Sequence, residues 1–271
     1  MSDINYPDPL SRLVTLGPPL EPWPDYPALY GLTQEHIPEL TPMATDAHIW
    51  EEDEKDPAVY RNVHAWRALA QLHAVEAVPA LVENFDWVDK HGDDWTGEDL
   101  PQAIALIGPD AIPVLSDYIF DVQHGTWARA AASDTLSQIA KNNPDSATAC
   151  AAALTRNLSQ YEQNDPIVNA DLIVALAHLR LPDTYPLVEQ AFRAGKVDLM
   201  MMGDWEDFQI KVGLLKERIT PKPDRDWGFK SMLGAKQKSS KLSISGKEDK
   251  QTKNKRKQEK LSRKKNRKKK R

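Results

Sequence analysis

The residue types that could carry chemistry in this chain are few and thinly grouped. Cys150 is the single cysteine. It sits in Thr148-Ala149-Cys150-Ala151-Ala152, an apolar helix face where nothing nearby would lower a thiol pKa. It therefore reads as a small core residue and not as a nucleophile. One cysteine also excludes an intrachain disulfide and any multi-cysteine zinc site. Among the seven histidines, His64 and His73 stand nine apart, and His91 lies beside Asp89, Asp93 and Asp94. That last group has carboxylates but no ligand spacing a cation would need, so it reads as an acidic loop between helices. His36, His48, His124 and His178 are isolated. Acidic runs at Glu51-Glu52-Asp53-Glu54 and at Asp204, Glu206 and Asp207 could pair carboxylates for proton transfer. Anions also favour helix N-termini, and these runs read as solvated helix starts. There is no Gly-rich phosphate loop and no Ser elbow. The expectation is a protein with no catalytic residue, no cofactor and no metal.

Charge is the stronger signal. The 271 residues carry 35 Lys/Arg and 40 Asp/Glu, a formal net charge of −5. Between Lys236 and Arg271 stand 18 Lys/Arg and three acids, a net of +15, which leaves −20 on residues 1–235. Lys255-Arg256-Lys257, Arg263-Lys264-Lys265 and Arg267-Lys268 are dense enough to condense on phosphates. No aromatic residue follows Phe229, so base stacking is not on offer and such binding would be electrostatic, not sequence-reading. Residues 221–271 are expected to form a disordered basic tail, because they hold too little apolar surface to offset chain entropy.

The elements that must position anything else lie upstream. Hydrophobic content of 41% allows most of the chain to fold. No apolar run approaches the roughly 20 residues of a membrane helix, and no basic-then-apolar leader opens the chain, so a cytoplasmic protein is expected. Residues 1–30 hold seven prolines interleaved with Tyr6, Trp23, Tyr26 and Tyr30. Proline forbids a long helix there, and aromatic area gains most when buried, which predicts an arm lying on the body. Residues 31–220 are expected to form the helical domain, and from about residue 57 to 195 the text repeats. Ala77-Val78-Pro79-Ala80-Leu81 aligns with Ala111-Ile112-Pro113-Val114-Leu115 and with Thr184-Tyr185-Pro186-Leu187-Val188, and a copy without proline falls at Ala147–Ala151. A period of about 36 residues marks stacked two-helix units. Asp56-Pro57 and Asp165-Pro166 read as an N-cap with proline in the first helical position. Trp66, Leu106, Ile112 and Leu176 are expected in the core. So are the methionines of Met200-Met201-Met202, and Asp204 is expected to cap a helix running to Thr220. The fold class expected is all-α, an α-solenoid (a right-handed superhelix) of about four to six helical pairs.

Ala105-Leu106-Ile107-Gly108-Pro109-Asp110-Ala111-Ile112-Pro113-Val114-Leu115 resembles the HEAT-like repeat of the phycobilisome-lyase type, and Ala68 to Leu81 is a looser copy. The resemblance covers roughly half the chain and is specific for fold. It says almost nothing about activity, since such repeats serve adaptors, nucleic-acid-binding proteins and bilin lyases alike. Some similar proteins end in a cysteine-rich zinc motif, which this chain lacks. A bilin-lyase-like chaperone would need a tetrapyrrole pocket and a paired subunit. The leading expectation is a non-enzymatic scaffold whose second helices present Glu83, Asp86, Trp87, Asp117, Asp121, Glu189 and Gln190 to a basic protein partner. The alternative is association with RNA or DNA through the tail.

Overall fold

The computed structural model describes residues 6–53 and 55–222, and the basic tail, with all its Lys and Arg candidates, lies outside the described residues. Every regular element among the described residues is helical. Two short helices, α1 (Leu10–Val14) and α2 (Tyr26–Tyr30), interrupt the proline-rich arm, and α3 (Ile37–Ala44) follows. Four units come next. They are α4 (Arg61–Gln71) with α5 (Val78–Glu83) and α6 (Asp86–His91); α7 (Asp94–Ile107) with α8 (Ile112–Phe120); α9 (Thr126–Asn142) with α10 (Ala147–Leu158); and α11 (Pro166–Leu179) with α12 (Tyr185–Arg193). Helix α13 (Trp205–Val212) closes the series.

Local chemistry explains the boundaries. Asp165 accepts the Ile167 N–H at 2.8 Å, and Pro166 fills the first position of α11, where a missing N–H costs nothing. Asp56 accepts the Ala58 N–H at 2.9 Å, but it opens a 3₁₀ turn at Pro57–Tyr60 and α4 begins only at Arg61. Each second helix is entered through a 3₁₀ turn, at Val75–Ala77, Pro109–Ala111, Pro144–Ser146 and Pro182–Thr184. Proline stands within the first turn of α5, α8 and α12, where it is tolerated.

The first helices pack in succession, α3 on α4, α4 on α7, α7 on α9, α9 on α11 and α11 on α13, and the second helices do the same from α5 to α8, α10 and α12. One continuous core runs between them through Trp66, Leu69, Leu81, Ile104, Leu115, Leu136, Leu154 and Leu176. All of α4 except its last residue is buried, because the arm covers the face that would otherwise meet water. The arm reading is met in its burial and changed in its form. Tyr26 is fully buried, and Tyr6, Trp23 and Tyr30 pack on the core, but through short helices and not a continuous extended strand.

Three sequence expectations are corrected. Leu106 is 39% exposed, because Ile104 and Ile107 take the core-facing positions of α7. Of the methionine cluster only Met202 is buried, while Met200 and Met201 stand 61% and 42% exposed on a turn held by their N–H groups on Asp198. The helix capped by Asp204 ends at Gly213, whose φ of +86° suits glycine alone, and does not reach Thr220. Among the described residues no single helix is long and apolar enough to cross a membrane.

Candidate interaction surfaces

Helix α4 carries three polar side chains on one stripe, His64, Arg67 and Gln71. Each donates to an arm carbonyl 47 residues earlier. The His64 Nε2–H reaches Gly17 O at 2.8 Å, Arg67 Nη1 reaches Leu20 O at 2.7 Å, and Gln71 Nε2 reaches Pro24 O at 2.9 Å. Gln71 also accepts the Tyr26 N–H at 2.8 Å through its Oε1. Since His64 donates through Nε2, its Nδ1 accepts, and the buried Tyr26 hydroxyl donates to it at 2.7 Å. Burial pushes the His64 pKa down and favours the neutral ring, and the Gly17 carbonyl sets its tautomer. Arg67 is fully buried and joins three elements. It forms ion pairs with Asp99 of α7 and Glu21 of the arm, and its guanidinium lies 4.7 Å from the Trp23 ring centre. Burial works against its charge, but the hydrogen bond and ion pair with Asp99 outweigh that and hold its pKa above the ordinary value.

Beyond Arg67 the surface opens. A groove of about 590 Å³ runs between the arm and helices α7 and α9, lined by Glu21, Trp23, Gln102, Leu106, Gln138, Lys141 and Asn142. Its volume falls within the range of about 300–1,000 Å³ typical of ligand sites. Its ionisable lining side chains are Glu21 from the arm and Lys141 from α9.

The second-helix residues selected from the sequence divide. Glu83 at the end of α5 and Asp121 after α8 are exposed, and Asp121 accepts the Gln123 N–H at 2.9 Å. Asp117 is exposed but paired with Arg156 at 2.7 Å, and Glu189 is paired with Arg193 at 2.8 Å. Gln190 is exposed. Trp87 is a core residue and not a contact residue. It is 8% exposed and packed between Trp50 (5.6 Å, edge-on) and Trp66 (6.4 Å between ring centres).

Asp86 is only partly available. Its Oδ1 accepts from the Tyr118 hydroxyl at 2.7 Å and from His124 Nδ1 at 3.0 Å, and Lys90 approaches Oδ2 at 3.3 Å. The Tyr118 and His124 rings stack at 3.7 Å. Burial acts to raise the Asp86 pKa, but these hydrogen bonds prevail and hold it below the usual carboxylate range. The same arrangement, led by burial, drives the Tyr118 phenol up. Asp, His and Tyr thus meet as a clamp between α6 and α8. The sequence separates His124 from Asp86 by 38 residues, and no local motif announces the pairing.

His91 stacks flat on Trp50 at 4.1 Å and is not gathered with Asp89, Asp93 and Asp94 around a cation site. No group of three or more His, Cys, Asp or Glu that could hold a metal occurs among the described residues. Cys150 is buried and its thiol is pushed up to about 11 by burial, the reverse of what a nucleophile needs. Compared with protein-family models, curated proteins and solved structures, the chain finds no match in any of the three.

Proposed function

We propose that the body is an α-solenoid of four HEAT-like helical pairs that works as a non-enzymatic scaffold, holding a basic protein partner against exposed carboxylates of its second helices. The observation that carries this reading is the successive packing of like helix on like helix from α4 to α11 and from α5 to α12. A stack of that kind leaves one face of every unit free and turns those faces into one extended surface. Glu83 and Asp121 supply carboxylates outside ion pairs there, and Asp117 and Glu189 supply ones whose exposed partners a competing cation can displace. The net charge of −20 on residues 1–235 adds long-range attraction for a basic partner. A cytoplasmic setting belongs to the same proposal and rests on the lone cysteine.

The test is retention of full-length protein on an immobilised Lys-rich peptide, read against the triple variant Glu83→Lys, Asp117→Lys, Asp121→Lys. The expected result is strong loss of retention by the variant with far-UV circular dichroism unchanged. Equal retention overturns the reading. A second reading, association with RNA or DNA, is favoured by the 18 Lys/Arg between Lys236 and Arg271. Removing residues 236–271 should then abolish retention on heparin, and retention by the full chain should fall steeply with salt.

A further inference from the structure

We propose that the groove between the arm and helices α7 and α9 binds an extended peptide segment of a partner protein, one that carries an apolar side chain followed by an acidic one. This surface belongs to the first helices and is separate from the carboxylates of the second helices. Trp95, Asp99, Gln102 and Leu106 recur at helical spacing along one stripe of α7. The fold uses the first half of that stripe. Trp95 meets Tyr60 edge-on at 6.3 Å, and Asp99 takes Arg67, which also holds Leu20 O and Glu21 of the arm. The second half has no such cover. Gln102 is exposed, Leu106 is 39% exposed, and both line the groove.

The arm itself shows how this surface holds an extended chain. Side chains of a first helix grip successive backbone carbonyls, at Gly17, Leu20 and Pro24. Trp23 of the arm forms one wall of the groove, so the groove adjoins an interface that already seats a proline-rich segment. Its lining is suited to a similar guest. Gln102 donates its amide N to Glu98 O at 2.8 Å, and Gln138 donates to the Asp134 carboxylate at 2.6 Å. Their side-chain carbonyls are thereby directed to accept peptide N–H groups. Leu106 and Trp23 give an apolar seat between them. Lys141 has no ion pair among the described residues and stands as a cation at the α9 end, which calls for a carboxylate.

The test uses the full-length protein labelled with ¹⁵N, and two acetylated peptide amides as probes, Ser-Ala-Leu-Asp-Ala and Ser-Ala-Leu-Lys-Ala. The side-chain amide signals of Gln102, Gln138 and Asn142 are followed by NMR. The Asp peptide should shift all three and bind about threefold or more tightly than the Lys peptide, the scale of one exposed ion pair. Lys141→Glu should reverse that preference, a readout that general damage to the fold would not produce. Leu106→Arg, at an exposed position, should abolish binding of both peptides while circular dichroism stays unchanged. The proposal is overturned by absence of shifts at millimolar peptide, by equal binding of the two peptides, or by Leu106→Arg binding as wild type does. It is also overturned if uridine monophosphate moves the same signals as strongly as the Asp peptide, which would make the groove a nucleotide site.

Discussion

Arg67 of α4 and Asp99 of α7 form a two-point ion pair, Nη2 to Oδ2 at 2.5 Å and Nε to Oδ1 at 3.1 Å, with side-chain exposures of 0% and 5%. Two charges this deep are worth little as a pair over a matched apolar pair, but removing one strands the other in low dielectric. Arg67→Met should therefore cost about 3–5 kcal/mol in urea unfolding, the range for breaking a buried pair. Arg67→Met combined with Asp99→Leu should recover most of it. The single variant also removes the donor to Leu20 O, so the arm should become sensitive to protease before the body unfolds. A single variant that unfolds with wild-type midpoint would show that the pair is not formed.

Arm docking should weaken in acid. Burial pushes the His64 pKa below its ordinary value, and the Arg67 charge adds to this. A histidine whose folded pKa is depressed contributes stability that is whole above its unfolded value, about 6.5, and that is lost as pH falls toward the folded value. Protonation would also remove the Nδ1 lone pair that accepts from Tyr26. Proteolytic cleavage of residues 6–24 should accelerate between about pH 7 and pH 5. His64→Gln should be cleaved faster than wild type at pH 7 and should show a flatter dependence on pH.

How much of this was legible follows from the range of each interaction. The helical class was, because the 3₁₀ turns and the prolines tolerated in a first helical turn, at Pro79, Pro113 and Pro186, are chain-local chemistry. The Asp204 cap was legible for the same reason, since its partner Asp207 is three residues away. The arm's attachment was not. His64, Arg67 and Gln71 find their partners 47 residues away, and the only local trace is a polar stripe at i, i+3 and i+7 on a helix whose body from Val63 to Ala70 is otherwise apolar. The exposure of Leu106 is not legible, because apolar character alone does not separate it from its neighbours Ile104 and Ile107. The α7 rotation that seats Ile104 in the core leaves position 106 at the groove. Trp87 reads as a contact in sequence because second helices present one face to water, but the tryptophan turns to the other, toward Trp50 and Trp66.

Asp171 should respond to pH in the opposite sense to His64. Burial first, then the nearby Asp134 and Asp198 charges, pushes its pKa up to about 6, and its Oδ2 is buried without a hydrogen-bond partner. A carboxylate whose folded pKa lies above its unfolded value, about 3.9, makes the native state bind the extra proton, so stability falls as pH rises from about 4 through 6. Asp171→Asn should raise the melting temperature at pH 8 and leave it nearly unchanged at pH 4. An equal shift at both values would mean that ionisation of Asp171 is not the cause.

Two glycine-to-alanine changes should differ in sign. Gly97 lies within α7 at ordinary helical φ, and a Cβ there would meet only the Val88 methyls at 3.9–4.0 Å, an ordinary contact. Gly97→Ala should stabilise by about 0.5–1 kcal/mol, the helix-interior difference between the two residues. Gly125 precedes α9, and a Cβ there would collide with the Asp89 carboxylate. That carboxylate, reaching across from α6, caps α9 by accepting the Ala128 N–H at 2.8 Å and the Trp127 N–H at 3.3 Å. Gly125→Ala should displace it and cost about 0.5–2 kcal/mol, the range for a lost N-cap. Asp89→Ala should cost a similar amount. Because both changes remove the same cap, Gly125→Ala in the Asp89→Ala background should cost almost nothing further, and the two variants should fail to add. Full additivity in thermal unfolding would mean that Gly125 is required for a reason other than room for Asp89.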